Sequence, residues 1–218
     1  MVTSRTGRPR RTQEQRRDAA RAAIIETAVR LLADGGYGNM TLADLGERAG
    51  YSRSLATHYF GSKPKLLAAV LDHVLRESPP GRMPASVSGL RRVQAEIGAV
   101  FDGLDENPSS ARAYIVITHE AVTSLPELRP MVHRQNIAFR GRIESALREA
   151  ATLKIVRPDL DAASVSIAVV AMIRGVVWEW FTDSTLDLAA CKQAVLDQTA
   201  ALCTAPTGGG ARPQMPVP

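Results

Sequence analysis

Residues 41 to 67 read TLADLGERAGYSRSLATHYFGSKPKLL, and this stretch decides the fold of the N-terminal part of the chain. It has helix-turn-helix dimensions, with two helical turns, a tight reversal and two more turns. Gly46 is small where two steeply crossing helices would otherwise collide, and Gly50 lies where the chain must turn with positive φ. The apolar contacts between the two helices are expected from Leu42, Leu45, Ala49, Leu55, Ala56 and Tyr59.

The second helix of this corner keeps a polar face outward, formed by Arg53, Ser54, Thr57 and His58. A short helix with such a face can enter the major groove of DNA, where Arg reads guanine and Ser or Thr bonds bases or phosphates. Similar corners also occur in proteins that do not touch nucleic acid, so the geometry alone leaves a purely structural role open.

The first 22 residues carry the net charge of the chain. Seven arginines there face only two acidic residues, so this segment holds the whole formal charge of +5, and the rest of the 218 residues is neutral. A charge confined to one end attracts a polyanion, although a solvated, disordered tail is the alternative explanation. The run Gly7-Arg8-Pro9-Arg10 resembles short segments that lie in the minor groove, and Arg8, Arg10 and Arg11 are therefore predicted DNA contacts.

Apolar periodicity and capping residues predict four helices within residues 12–77. Thr12 and Gln15 form a capping box, Thr41 opens the second helix, and Ser52 and Ser62 cap the third and fourth. The divisions expected from proline and charge placement are a basic arm at 1–11, the helix-turn-helix domain with its connecting fourth helix at 12–77, a second domain at 85–204 and an unstructured tail at 205–218. Residues 114–118 are β-branched and aromatic, but a lone strand has no partner, so a helix is predicted there as well.

The stretch from Thr41 to Leu67 closely resembles the signature of tetracycline-repressor-type (TetR) transcriptional regulators, above all in residues 50–53 and 58–63. The resemblance implies an all-α homodimer with a three-helix N-terminal DNA-binding domain, a connecting fourth helix and a C-terminal helical bundle that dimerises and binds an effector. Leu55 stands where the family often has Thr, and we expect it in the core. The implied groove or phosphate contacts are Thr41, Ser52, Arg53, Ser54, Thr57, His58, Tyr59 and Lys63.

Residues 161–181 form a helix that is apolar nearly all round, which requires a core on one side and a partner on another. With the last helix, from about 188 to 203, it would build a four-helix interface across a two-fold axis, and the centre of a monomeric bundle is the alternative. The predicted interface residues are Val165, Val169, Met172, Val176, Trp180, Val195 and Leu202. An effector cavity would have as walls Phe101, Tyr114, Thr118, His119, Phe139 and Met172, for each of which ordinary core packing is the competing explanation.

The sequence contains no recognised motif of an enzyme, a metal site or a cofactor-binding loop, so no catalytic residue, metal or cofactor is expected. Ser166 and Arg174 interrupt the longest apolar stretch before the roughly 20 residues that a membrane span needs. Two late cysteines and the absence of a signal sequence favour the cytoplasm. The function expected is a ligand-responsive repressor that a small molecule releases from a palindromic DNA operator. An activator, a small-molecule binding protein that has lost its operator, and an enzyme built in the C-terminal cavity remain the alternatives.

Overall fold

The computed structural model describes residues 12–77, 87–183 and 185–204. The predicted basic arm, the proline-rich stretch at 79–84 and the C-terminal tail lie outside the described residues. The described part contains nine α-helices, a single 3₁₀ turn at Pro126–Leu128 and no strand, which confirms the all-α prediction. The helices are α1 Gln13–Gly35, α2 Leu42–Arg48, α3 Arg53–Phe60, α4 Lys63–Glu77, α5 Gly89–Glu106, α6 Pro108–Thr123, α7 Arg129–Thr152, α8 Ala162–Thr182 and α9 Leu188–Thr204.

Most of the predicted helix starts are confirmed by their hydrogen bonds. The Thr12 hydroxyl accepts from the Gln15 amide at 3.2 Å while the Gln15 side chain accepts from the Thr12 amide at 3.0 Å, which is the predicted capping box. The Thr41 hydroxyl accepts from the Asp44 amide at 3.1 Å. Ser52 occupies the N-cap position of α3, but its hydroxyl makes no capping bond, so that prediction was right in position and wrong in mechanism.

Helix α6 settles the conflict over residues 114–118 in favour of a helix. Ala113, Ile117 and Ala121 repeat every four residues and are buried, so the segment presents one apolar stripe to a core. Asn107 caps the first turn by accepting from the Ser110 amide at 3.1 Å, and Pro108 occupies a position where a missing N–H is harmless. Local burial and capping outweigh the strand preference of the side chains.

One compact unit comprises Met1–Ser78 together with Asn107–His133. Its core holds α1 to α4 around Ile24, Leu32 and Met40, and one apolar stripe of α4 is buried there. Helix α6 belongs to this unit because it packs against both α1 and α4. The compact units therefore do not follow the linear division into residues 12–77 and 85–204. The buried stripe of α4 consists of Leu67, Val70, Leu71 and Val74.

The other compact unit comprises Pro79–Glu106 and Arg134–Pro218, where α9 packs against α5 and α8. Within the described residues, α8 is the one helix that is long and apolar enough to cross a membrane, with a mean hydropathy of 1.6 over its most apolar window. A third of that window is buried inside the unit. Asp161 caps the helix by accepting from the Ala163 and Ser164 amides at 3.1 and 3.3 Å.

Burial corrects part of the predicted dimer interface. Val169 is 0% exposed, and Val165 and Val195 are also buried inside the protomer, so these three valines belong to its core and offer no surface to a partner. The exposed side of α8 runs through Ile167, which is 53% exposed, and Trp178, which is 51% exposed, with Ala171, Arg174 and Gly175 exposed between them. Of the other predicted interface residues, Met172, Val176 and Trp180 are half-buried, and Leu202 is exposed.

Candidate nucleic-acid interface

The corner between α2 and α3 is built around two glycines, as the sequence predicts. A Cβ atom on Gly46 would lie 2.5 Å from the Ser52 carbonyl oxygen, so only glycine lets the two helices cross this closely. Gly50 has a φ of 81°, which glycine adopts without strain. The Tyr51 amide then donates to the Gly46 carbonyl at 2.9 Å and closes the turn.

The predicted contacts between α2 and α3 are confirmed. Leu45 and Ala56 are fully buried at the crossing, and the other four residues of the set are partly buried against the same core. Leu55 lies in this group, in agreement with its predicted core role. The apolar side of α3 is thus used up inside the unit, and only its polar side remains for a partner.

The polar side chains predicted to bind DNA lie together on the exposed side of the corner. Ser52, Arg53, Ser54, Thr57 and His58 are all exposed and lie on one short helix and its N-cap. Ser52 and Ser54 share a hydrogen bond of 3.3 Å between their hydroxyls. The hydroxyl of Thr41, at the start of α2, is already bound to the Asp44 carboxylate at 2.6 Å.

Tyr59 differs from the other predicted contacts because it is half-buried. Its ring lies 5.7 Å from the His58 ring and 6.4 Å from the Phe60 ring, between centroids. Phe60 is buried and has the Arg21 guanidinium 5.6 Å from its ring centre. Tyr59 therefore links the exposed face of α3 to the core, and only part of its surface is open to a ligand.

Arg53 is held by two carboxylates that sequence reasoning did not connect with it. Its guanidinium lies 3.5 Å from the Glu47 carboxylate and 3.8 Å from the Asp44 carboxylate, both on α2. All three side chains are largely exposed, so the ion pairs are weak and exchangeable. The sequence could have predicted these ion pairs, because the steep crossing of two short helices brings the exposed side of α2, with its acidic residues, next to the first turn of α3.

Lys63 lies at the start of α4, as predicted, but its ammonium group already has partners. The Nζ atom donates to the Tyr37 carbonyl at 3.0 Å and lies 3.9 Å from the centre of the Tyr37 ring. Partial burial lowers the pKa of Lys63, and the negative charge of Glu120 opposes that shift. Burial also raises the pKa of Tyr37, assisted by the charges of Glu120 and Glu127. Because Lys63 and Tyr37 are 26 residues apart in the sequence, no local sequence pattern predicts their contact.

The remaining predicted site residues are less concentrated. Arg8, Arg10 and Arg11 lie outside the described residues. The predicted effector walls fall in both compact units, with Tyr114, Thr118 and His119 in the first and the other three in the second, and they stay predictions. Phe101 is buried, whereas His119 is exposed. The effector-wall residues in the second unit are Phe101, Phe139 and Met172.

Among the residues that the structure describes, no cluster of three or more His, Cys, Asp or Glu could hold a metal ion.

Comparison with known families matches both parts of the chain. The family described as bacterial regulatory proteins, tetR family, matches residues 24–70. The family described as BetI-type transcriptional repressor, C-terminal, matches residues 89–204, which is more than half of the chain. The two matches together span the helix-turn-helix and the helices α5 to α9.

Individual proteins agree with the family matches. The chain is 30% identical over 158 residues to the HTH-type transcriptional regulator BetI of Rhizobium meliloti (strain 1021), which covers 71% of this chain and 74% of that protein. A crystal structure of a TetR-family transcriptional regulator from Rhodococcus sp. has a TM-score of 0.76 at 19% identity, over 84% of this chain and 98% of the other. A transcriptional regulator from Saccharomonospora viridis, solved in complex with choline, has a TM-score of 0.69 at 20% identity over 83% and 95%.

Proposed function

From the premise that this chain belongs to the TetR family of bacterial transcriptional regulators, we propose how its described residues carry out the family's task. The chain is a ligand-responsive, DNA-binding transcriptional repressor. It acts as a dimer on operator DNA and binds a small-molecule effector. The relatives are named as transcriptional regulators, and the alternatives of an activator or a binding protein without an operator are not favoured. We place its action in the cytoplasm, where its DNA is.

The exposed polar face of α3 is the single observation that carries the DNA-binding proposal. Five polar side chains with donors and acceptors lie on one short helix and its N-cap, and the apolar side of that helix packs in the core. Such a helix fits the major groove, and a dimer would place two copies in successive grooves of a palindromic site, roughly 34 to 36 Å apart. Arg53 would read guanine, and Ser54, Thr57 and His58 would reach bases or phosphates beside it.

Arg53 would exchange partners when DNA binds. Its ion pairs with Asp44 and Glu47 are exposed and long, so a guanine edge or a phosphate can replace them at little cost. Lys63 would likewise turn from the Tyr37 carbonyl to a phosphate, close to the N-terminal amides of α4.

The dimer would form through the exposed side of α8 together with α9. Ile167 and Trp178 are large apolar side chains that lie about half exposed on one side of α8, where a second helix could cover them. Ala171 and Gly175 lie between them on the exposed side and are small enough to let a second helix approach closely.

Effector binding would favour a dimer whose two α3 helices no longer match the spacing of the operator. This requires that the effector binds the two states of the dimer with unequal affinity.

The test begins with a random duplex library from which the purified dimer selects its preferred site, followed by a footprint on that site. We expect an inverted repeat. Replacing Arg53 with Ala should then relax discrimination at one base position of each half-site by about 1–3 kcal/mol. The control Arg91→Ala removes the same charge from an exposed position on α5 and should leave that discrimination unchanged. Selection of no common site, or equal discrimination by Arg53→Ala and the wild type, would refute the proposed docking.

A further inference from the structure

An unusual set of charged side chains lies between α5 and α7. Glu96 is 0% exposed, and both of its carboxylate oxygens accept from the Nε atom of Arg142, at 3.0 and 3.1 Å. Arg142 is itself only 22% exposed. A buried carboxylate next to a guanidinium satisfies the charge of both, so this pair alone would be a self-contained structural element.

The pair does not satisfy all of the guanidinium donors that are buried with it. The Nη2 atom of Arg142 is buried and has no hydrogen-bond partner, and the same holds for the Nε atom of Arg92. Arg92 lies one helical turn before Glu96 on α5, and thus on the same face of that helix. Buried donors without an acceptor are rare in folded proteins and call for a partner that the protein chain does not supply.

Acidic side chains on neighbouring turns of α7 bind other groups and do not supply that partner in this structure. Glu144 accepts from Arg148 at 2.6 Å, and Glu149 accepts from the backbone amide of Gly89 at 3.1 Å. The set of Arg92, Arg142 and Glu96 contains two partly buried guanidinium groups and a single, buried carboxylate, with a net charge of +1. One negative charge with two acceptor oxygens would complete it.

We propose that Arg92 and Arg142 form an anion site between α5 and α7 that binds the carboxylate of a small organic acid. Guanidinium groups recognise carboxylates through paired, charge-assisted hydrogen bonds, which fits the two free donors. The Arg142 guanidinium is fixed on its other sides, by Glu96 and by the Phe139 ring centred 5.3 Å away, and so presents its free edge in a set orientation. Insofar as the bound acid is the effector, this inference rests on the proposed function.

The site predicts a different ligand class from the one seen in the Saccharomonospora viridis regulator, which holds choline. A quaternary ammonium cation would meet a net positive charge here, since the only buried carboxylate of the set already binds Arg142. A carboxylate would instead meet two unpaired donors. Membership of one family therefore does not carry the ligand chemistry of that relative over to this chain.

The experiment measures thermal unfolding of the full-length dimer with three acids, acetate, hexanoate and benzoate, each beside its neutral amide and at matched sodium chloride. Choline chloride serves as the cationic probe. We expect at least one acid to raise Tm by a few degrees in a saturable way, as ligand linkage requires. The amides and choline should not do so. Titration calorimetry of that acid then gives its Kd.

The matched variants are Arg92→Gln, which removes a donor of the site, and Arg91→Gln, which removes the same charge from the exposed neighbour. Arg92→Gln should weaken binding of the acid at least tenfold, whereas Arg91→Gln should bind it like the wild type. Arg92 is not part of the Glu96 pair, so the fold should persist, which the circular dichroism spectrum checks. Arg142→Lys, which keeps the charge but loses the second donor direction, is a further variant with the same expected weakening.

No saturable response to any of the three acids, an equal response in Arg92→Gln and the wild type, or an equal effect of choline would overturn the anion site. A gel shift of the unliganded protein on its selected DNA site separates this result from the proposed function. If the wild type and Arg92→Gln bind DNA equally while no acid binds, only the anion site fails. If the wild type binds no DNA, the proposed function fails independently of the acid.

Discussion

Replacement of Gly46 with Ala tests the geometry on which the DNA-reading corner depends. The added Cβ would lie 2.5 Å from the Ser52 carbonyl oxygen, whereas ordinary contact begins at 3.4 Å, so the backbones must separate by about 0.9 Å. The obstructing atom belongs to the backbone at the start of α3, so no side-chain rotation can relieve the contact. Overpacking of this kind costs typically about 1–3 kcal/mol, and the better helix propensity of Ala returns about 1 kcal/mol.

We therefore expect Gly46→Ala to lose up to about 2 kcal/mol of the free energy of unfolding, and Tm to fall by up to about 8 °C. The displaced α3 should lose base contacts, with a fall of at least about tenfold in affinity for the selected operator. Thermal melts followed by circular dichroism and gel-shift titrations measure the two effects.

The matched control is Gly141→Ala, in the middle of α7, where a Cβ would meet nothing within 4 Å. That variant should gain about 0.5–1 kcal/mol from helix propensity and should bind the operator like the wild type. If Gly46→Ala unfolds at or above the wild-type Tm and keeps full operator affinity, the close crossing of α2 and α3 is not what shapes this corner.

Three further predictions address a phosphate contact, a helix cap and the dimer. Lys63→Ala should weaken binding to all DNA sequences and lower the slope of log affinity against log salt by about 1. The control Arg134→Ala removes a charge from an exposed position on α7 and should leave the slope unchanged. An unchanged slope for Lys63→Ala in gel shifts would exclude the phosphate contact. The hydrogen bonds that the Ser164 hydroxyl and, to a smaller extent, the Ser164 backbone amide donate to the Asp161 carboxylate lower the pKa of Asp161. The stability that this ionised cap contributes is present above the ordinary carboxylate pKa of about 3.9 and is lost as the pH falls through the lower folded value. Melts between neutral and acidic pH should thus be less pH-dependent for Asp161→Asn than for the wild type, and identical profiles would contradict this. Ile167→Glu should yield monomers in sedimentation velocity, whereas Val122→Glu, at another exposed apolar position, should remain a dimer; dimers in both variants would remove α8 from the interface.

Features fixed by short-range chemistry could be predicted from the sequence. The capping box at Thr12, the turn at Gly50 and the small residue at Gly46 each depend on neighbours within a few positions. The same holds for the exposed polar side of α3, because the helical repeat assigns its residues to an apolar and a polar face. These elements supplied the corner and most of the candidate DNA contacts.

Features that depend on tertiary packing could not be predicted. Helix α8 is apolar on nearly every side, so its periodicity could not show that Val165 and Val169 face the core while Ile167 faces outward. The attachment of Lys63 to Tyr37 and of Arg142 to Glu96 joins residues 26 and 46 positions apart. Such pairs depend on how the helices pack, and no rule of sequence spacing predicts them.

The discontinuous composition of the first compact unit has a practical consequence for building hybrid regulators. Exchanging DNA specificity between family members suggests a cut in the proline-rich stretch, but that cut would separate α6 from the helices α1 and α4 on which it packs. The transplanted helices α1 and α4 would then rest on a foreign helix of different shape, because Ile117 and its buried neighbours on α6 would stay behind. A graft that includes Asn107–His133 together with the first 78 residues keeps the packing of α6 on α1 and α4. We expect this chimera to fold more stably.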